Sequence, residues 1–597
     1  MPARDSWIHL GPDLFLWPDA CNVYLLRDGE RALAIDYGTG AWRRHLDRIQ
    51  VRRVEQVVLT HTHRDQLCGL YREPDPTLTV HLPAGDAALV GAEEVEHFWV
   101  VYQTNGCPAS YAAPRGPVPH ARADLTADTE TRIGPVRLCA IATPGHTQGA
   151  LSYLVEWRGR HLAFCGDAVH AGGTIHQPYH LEWDHWTPSG CLAAWHGLER
   201  LGYCGFDALL PSHGPPILER PRSCLSQVQR RLLQLIRAKG SVCAGEPNRW
   251  VDLEPTSCGA WRVLPHLYQF GANSFLLVSR AGEGLVVDPQ LVDLSRLEPL
   301  MQELGLSRIS VGTASHYHLD HSDGLGQLRD RYGACSWVHP WVAEPILDRN
   351  RYDLPWLPTA SVPVDRLLPE NGPFRWQEYR FRSHAFPGQT RWHTAFDGEI
   401  DGCRVLFSGD NYQPPSRWNG TGGFCAYNGS RFSEGFGRSA ALVLELAPDL
   451  ICNGHGCVYR FAPSHYRRIV RWSQTAEAAV RELCPSTDWL ADYDCRAARW
   501  EPFVTKARAG RAFDLHLCLT NHARREMRAI ACPVGPDGWS LEPASRCLRL
   551  PAGNERRIRF RVTVPRRTEP GRYLLAADLQ IDDHLDAEAC VALVDVG

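Results

Sequence analysis

Five short elements occur twice in this 597-residue chain, in the same order and at offsets of 242 to 255 residues. Cys21-Asn22-Val23-Tyr24-Leu25-Leu26, leading into Ala34-Ile35-Asp36, returns as Ala272-Asn273-Ser274-Phe275-Leu276-Leu277, leading into Val286-Val287-Asp288. His61-Thr62-His63-Arg64-Asp65 returns as His316-Tyr317-His318-Leu319-Asp320. Phe164-Cys165-Gly166-Asp167 returns as Phe407-Ser408-Gly409-Asp410, and Ser212-His213-Gly214 as Gly454-His455-Gly456. Chance does not keep five elements in register, so the chain holds two copies of one domain of roughly 230 residues.

Within each copy, short apolar runs end at chemically active residues. Residues 54–60 (VEQVVLT) and 309–315 read as buried strands ending at the HxHxD loops. Residues 161–165 and 405–407 end at Gly-Asp, and 208–210 and 450–452 end at the last histidine. Helical stretches at 191–201, 226–238 and 439–446 intervene. Strand, loop and helix in repetition predict an α/β fold with sites at strand ends. The expected division is 1–240 and 261–490 for the two copies, with 241–260 as linker. From about Pro485 the character changes. Residues 511–520, 556–565 and 572–581 alternate apolar and polar, separated by Pro536-Asp537-Gly538 and Glu569-Pro570-Gly571. This predicts an all-β sandwich over 500–597, similar to the immunoglobulin-like accessory domains of bacterial hydrolases.

Composition narrows the function classes. Hydrophobic residues are 44% and charged residues 22%, ordinary for a globular chain, and the net charge of −4 gives no basic excess for nucleic acid or an anionic membrane. The 21 cysteines are too sparse for a disulfide scaffold. The N-terminus MPARDSWIHL has no apolar core or cleavage site, and no apolar run approaches a membrane span. A cytoplasmic protein with mostly free thiols, acting on a small molecule without nucleic acid or membrane partners, is the expectation; the oligomeric state is left open.

In HxHxD, residues i and i+2 of an extended segment point to one side, so His61 and His63 can grip one ion while Asp65 reaches a neighbouring one. His146, Asp167 and His213 also follow strands. Imidazoles and carboxylates clustered at buried strand ends need a cation, and structural zinc can contribute on the order of 10 kcal/mol. Histidine, aspartate and open positions suit zinc best, with iron(II) or manganese(II) also compatible.

These motifs resemble the metallo-β-lactamase superfamily in tandem: His61-Thr62-His63-Arg64-Asp65-Gln66, Thr143-Pro144-Gly145-His146-Thr147, Gly166-Asp167 and His213-Gly214, then His316-Tyr317-His318-Leu319-Asp320-His321, Pro387-Gly388-Gln389-Thr390, Gly409-Asp410 and Gly454-His455-Gly456. PGHT and Gly-Asp look most like its glyoxalase II-type branch. The resemblance implies an αβ/βα sandwich in each copy, with one or two ions at an edge of the paired sheets. Carried over, His61, His63 and His146 form site one of the first copy, and Asp65, His213 and the bridging Asp167 form site two. The family usually has histidine where Gln66 stands, which weakens that second site. In the second copy Asp320, His321, Asp410 and His455 form a full site two. Site one keeps His316 and His318, but Gln389 replaces the third histidine. His393 either turns inward to substitute or is an ordinary loop histidine, and His384 is a weaker candidate.

The chemistry implied is attack of metal-bound hydroxide on an ester, thioester, lactone or amide carbonyl, with Asp65 or Asp320 orienting the nucleophile and moving a proton. Two alternatives stand beside it. His61, His146 and Asp167 resemble the facial triad of mononuclear iron persulfide dioxygenases, and one copy could be a non-catalytic scaffold. Arg64 either meets an anionic substrate or pairs with an acid. The aromatic stretches 180–186 and 418–436 either shape the substrate mouth or cap helices, and loops at 114–119 and 355–363 could act as lids.

Overall fold

The computed structural model describes residues 6–101, 112–240, 251–413 and 421–597. Parts of the linker (241–250) and of the second aromatic stretch (418–420) lie outside them.

The first copy is two sheets face to face. One has seven strands in sequential order from Ile8–Gly11 to Ala121–Leu125, and the other has five, ordered from Ala208–Pro211 through Arg160–Gly166 to Thr129–Ile133. Alternating apolar residues from both sheets meet between them, including Tyr24, Leu26 and Ile35 from one and Leu138, Tyr153 and Phe164 from the other. The second copy repeats this with eight- and six-stranded sheets around Phe275, Leu277, Phe381 and Phe407. Its first strand, Glu254–Pro255, falls inside the expected linker and pairs with Trp261–Leu264.

Helices cover the outer faces and join the copies. Helix Pro221–Gly240 of the first packs on helix Pro463–Leu483 of the second, and one apolar core runs across both through Val228, Leu232, Ile469 and Val480. Fully burying such a side chain is worth ~1.5–3 kcal/mol. The Trp472 indole N–H donates to the carbonyl of Ala238 at 2.8 Å, fixing the register of the pair.

The C-terminal region is all β, with a four-stranded sheet and a five-stranded sheet enclosing Leu515, Phe560, Leu575 and Ala592. Strands Ala512–Thr520, Glu555–Thr563 and Gly571–Ile581 match the three alternating runs of the sequence. Its last strand, His584–Val596, lies against helix Arg64–Arg72 of the first copy. Glu588 of that strand is fully buried and is met by Arg72 at 2.8 Å, Arg115 at 2.7 Å and the Tyr71 hydroxyl at 2.6 Å. Arg64 donates to the carbonyls of Glu588 and Ala589. The 114–119 loop is thus pinned beneath this domain through Arg115.

Burial opposes the charge on Glu588, yet Arg115 and Arg72 prevail and bring its pKa from 4.5 down to about 2. A carboxylate depressed in the folded state contributes stability that is complete above its unfolded pKa and lost as pH falls through the folded one; here that is about 3 kcal/mol. Denaturant unfolding between about pH 5 and 2 will show this slope. Glu588→Gln will flatten it and cost a few kcal/mol at neutral pH; the same slope in the variant would contradict the assignment.

Candidate metal centres

Each site begins with a carboxylate at a strand end. Asp36 follows strand Arg31–Ile35 in a left-handed conformation (φ 60°), which aspartate tolerates better than most residues. It accepts the Thr60 amide at 2.8 Å, the Thr60 hydroxyl at 3.0 Å and the Ser212 hydroxyl at 2.6 Å, tying three strand ends together. The Thr60 oxygen lies 3.1 Å from His61 Nδ1. With its proton committed to Asp36, that hydroxyl accepts from Nδ1–H. The Nε2 lone pair of His61 is then free to face the site. The second copy builds the same relay: Ser315 donates to Asp288 from its amide at 2.6 Å and its hydroxyl at 2.8 Å, and its oxygen lies 3.1 Å from His316 Nδ1.

The Gly-Asp motif closes the other side. Gly166 and Gly409 both have positive φ (54° and 55°), and a Cβ at Gly409 would sit 2.3 Å from Ser315 Oγ. Only glycine lets the chain pass this close and turn the following aspartate inward.

In the first copy the predicted residues converge. One ligand atom from each of His61, His63 and His146 lies within 4.8 Å of the others. Asp167 lies 3.6 Å from His61 and 3.3 Å from His146, and His213 is 2.9 Å from Asp167 and 3.1 Å from Asp65. Asp65 sits in the first turn of helix Arg64–Arg72, where the helix dipole favours a carboxylate. Burial opposes its charge, but His213 wins and holds it at about 2. Burial, then the neighbouring His180, drives the pKa values of His63 and His146 well down, so both are neutral and able to donate lone pairs. His146 turns Nε2 towards Asp167, and His61 Nε2, which also faces Asp167, and His63 Nε2 are buried without a hydrogen-bond partner. Such orphaned nitrogens fit a metal ion.

The second copy gathers its ligands differently. His316, His321 and Asp410 form one group, and Asp320, His321 and His455 another. His321 lies 3.2 Å from Asp410 and His455 3.1 Å. Gln389 takes the missing histidine's place, with its amide nitrogen 3.2 Å from Asp410 and 3.0 Å from the Gly422 carbonyl. His318 Nε2 is 2.9 Å from the Asn428 side-chain oxygen. His393 is fully buried and stacks on His316 at 4.7 Å; its Nδ1 bonds the Thr394 carbonyl at 3.0 Å, and its Nε2 lies 3.5 Å from the Asp410 amide. Neither of the two ligand groups includes it. His384 pairs with Asp397 away from these groups.

Further side chains border the site, among them His176, Asp86 and Asp586, which the sequence does not single out. His180 packs 4.3 Å from the His63 ring and 4.6 Å from His146, and His176 stacks on His213 at 3.8 Å. Both lie at or just before the aromatic stretch, which therefore borders the site. Asp86 accepts Thr147 Oγ1 at 2.8 Å and the Gly149 amide at 2.7 Å, anchoring the PGHT loop. From the C-terminal domain, Asp586 lines the cleft that holds His63 and Asp65. Burial, then the charge of Asp65, raises its pKa to about 7. Arg64 engages backbone carbonyls there. The thiols of Cys165 and Cys452 are pushed up by burial and belong to the packing.

The metallo-beta-lactamase superfamily model matches residues 16–208 and 267–455, more than half of the chain in two segments. The chain belongs to this superfamily, in tandem. The model of the NEW3 domain of alpha-galactosidase, an NPCBM-associated domain, matches 507–582 in the all-β region. No curated protein sequence matches the chain. Among solved structures, a Cronobacter sakazakii metallo-beta-lactamase with a HARLDQ motif is 19% identical, covering 38% of this chain and 94% of its own, with a TM-score of 0.31. A beta-lactamase domain protein from Burkholderia ambifaria is 19% identical (41% and 82% covered, TM-score 0.31). A class B3 di-zinc metallo-beta-lactamase from an Alaskan soil metagenome is 14% identical (38% and 94% covered, TM-score 0.30).

Membership of the superfamily and these His/Asp clusters support a metal-dependent, hydrolase-like function. The two copies differ by a matched pair of changes. In the second, His321 Nδ1 is 3.1 Å from Asp288, and a Cβ at Gly454 would meet Asp410 at 2.1 Å and His321 at 3.0 Å. In the first, Ser212 stands at the glycine's position and its hydroxyl takes the Asp36 oxygen, while the Gln66 amide is buried with neither atom bonded. The histidine and the serine compete for the same carboxylate and the same space. Gln66→His combined with Ser212→Gly will therefore add about one metal ion per chain by elemental analysis, and Gln66→His alone will not. Equal uptake by both variants would contradict this coupling.

Proposed function

We propose that this protein is a metallohydrolase of small molecules carrying an ester, thioester, lactone or amide bond, with the first copy as its catalytic unit. The convergence of His61, His63 and His146 within 4.8 Å, with His61 Nε2 freed by the Asp36–Thr60 relay and left without a hydrogen-bond partner, carries the reading. A bound divalent ion, zinc first among candidates, would supply Lewis acidity that ionises water near neutral pH and polarises a carbonyl. His61, His63 and His146 would hold it, with Asp167 beside them. Asp65, kept ionised by His213, would orient the attacking water and carry its proton towards the leaving group. His180 and the C-terminal domain limit access of bulk water to the cleft.

The second copy reads as a metal-binding scaffold. Gln389 occupies the third histidine's place and holds Asp410, and His318 is engaged by Asn428. This leaves Asp320, His321, Asp410 and His455 as ligands for an ion with a structural role.

Metal content and hydrolysis of a nitrophenyl ester panel, measured on the wild type and on two double variants, test both readings. His61→Ala/His63→Ala will lose metal and lower kcat/KM at least ~100-fold, whereas His316→Ala/His318→Ala will lower it less than ~10-fold. The reverse order would make the second copy the catalyst. Iron in the purified protein, with oxygen consumed on adding a persulfide, would replace the hydrolase reading by the persulfide dioxygenase-like one.

A further inference from the structure

Beside the first site lies a cavity of about 480 Å³ between the two copies and the C-terminal domain. That volume is within the range of small-molecule pockets. One wall is His176 to Tyr179 of the first copy, another the segment after helix Pro463–Leu483, and the third the C-terminal domain up to Asp586 and Ala589. The smaller cleft at His63 and Asp65 shares Gln177, Tyr179, Cys495, Ala498, Asp586 and Ala589 with it. The two hollows are contiguous, and Asp586 stands where they join.

Most charges on the walls are matched: of the arginines lining the smaller cleft, Arg496 donates to the carbonyls of Tyr427 and Asp353, and Arg499 pairs with Glu501 and Glu555. Asp494 is met by Arg431 at 3.1 Å and His522 at 2.9 Å, Asp582 by Arg525 at 2.6 Å, and Asp488 by Arg524 at 3.4 Å. Asp492 has the Ser486 amide at 2.7 Å. Asp586 differs from all of these: among the described residues, no hydrogen bond or ion pair holds its carboxylate. Arg64 attracts it electrostatically but donates to the carbonyls of Glu588 and Ala589. Its position is fixed nonetheless, because Glu588, two residues on in the same strand, is clamped by Arg72, Arg115 and Tyr71.

We propose that the C-terminal domain forms a wall of the substrate compartment of the first site, and that Asp586 receives an ammonium group of the substrate there. The inference rests on the hydrolase reading of that site and gives it a substrate class: small esters, thioesters or amides with a cationic amine a few bonds from the cleaved carbonyl. The carboxylate on a rigid strand supplies the complementary charge at the throat of the cavity, where partial desolvation strengthens the pairing.

The test uses the metal-loaded full chain and the 4-nitrophenyl esters of 6-aminohexanoic, heptanoic and adipic acids, which are cationic, neutral and anionic probes of similar length. The ratio of kcat/KM for the cationic to the neutral ester will be about ten, with the anionic ester poorest. Asp586→Asn will bring that ratio close to one, and Asp586→Arg will make the anionic ester the better substrate. A wild-type ratio near one, or the same ratio in Asp586→Asn, overturns the proposal. If no ester is cleaved, the hydrolase reading falls, and calorimetry with 6-(4-nitrophenoxy)hexylamine and 4-nitrophenyl heptyl ether decides the charge preference alone. Tighter binding of the amine, lost in Asp586→Asn, upholds the preference, and equal binding of the two ethers overturns it.

Discussion

A carboxylate, a hydroxyl and an imidazole in line are what the rest of this molecule is arranged around. Asp36–Thr60–His61 and Asp288–Ser315–His316 each hold an imidazole by Nδ1 and leave Nε2 buried with no hydrogen-bond partner. A buried nitrogen left this way costs about 1–3 kcal/mol. Both copies bear that cost at equivalent positions. The paired sheets, the left-handed aspartate and the positive-φ glycine are the backbone features that bring the relay and its opposing carboxylate together.

Duplication made room for divergence. The first copy keeps three converging histidines but has Gln66 and Ser212 where the second has His321 and Gly454. The second keeps a full set of Asp320, His321, Asp410 and His455, while Gln389 and Asn428 engage the groups on its other side. The helical core shared by the copies makes them one body, so a loss in either site need not unfold the chain. The third domain is attached at the first copy's cleft through Glu588 and Arg64, and this gives the two sites different surroundings.

Much of this was legible in the sequence because the repeat supplied an internal comparison. Strand ends at the HxHxD, Gly-Asp and last-histidine motifs follow from apolar runs that stop at polar residues, and the alternating C-terminal runs became strands. His393 sits fully buried, as an inward turn requires, but its side chain is used by backbone groups, a distinction that spacing alone does not carry. His176 escaped notice because it lies in an irregular loop with no period, whereas His180 opens the aromatic stretch 180–186 that the sequence marks as a mouth or a cap. Asp586 escaped for another reason: it is more than 500 positions from Asp65, on a domain whose docking depends on the tertiary pairing of Glu588 with two arginines. Asp36 was visible as a repeat element, but its role as the anchor of a ligand's tautomer emerged only with Thr60 and Ser212 around it.

X-ray absorption at the zinc edge of the zinc-loaded protein reaches the central claim most directly. The account predicts a first shell rich in imidazole nitrogen at ~2.0–2.1 Å. In His61→Ala/His63→Ala about half the zinc will be lost, and the remainder, held by Asp320, His321, Asp410 and His455, will show fewer imidazoles and more carboxylate oxygen per ion. A shell of oxygen alone, or a spectrum that this double variant leaves unchanged, would contradict it.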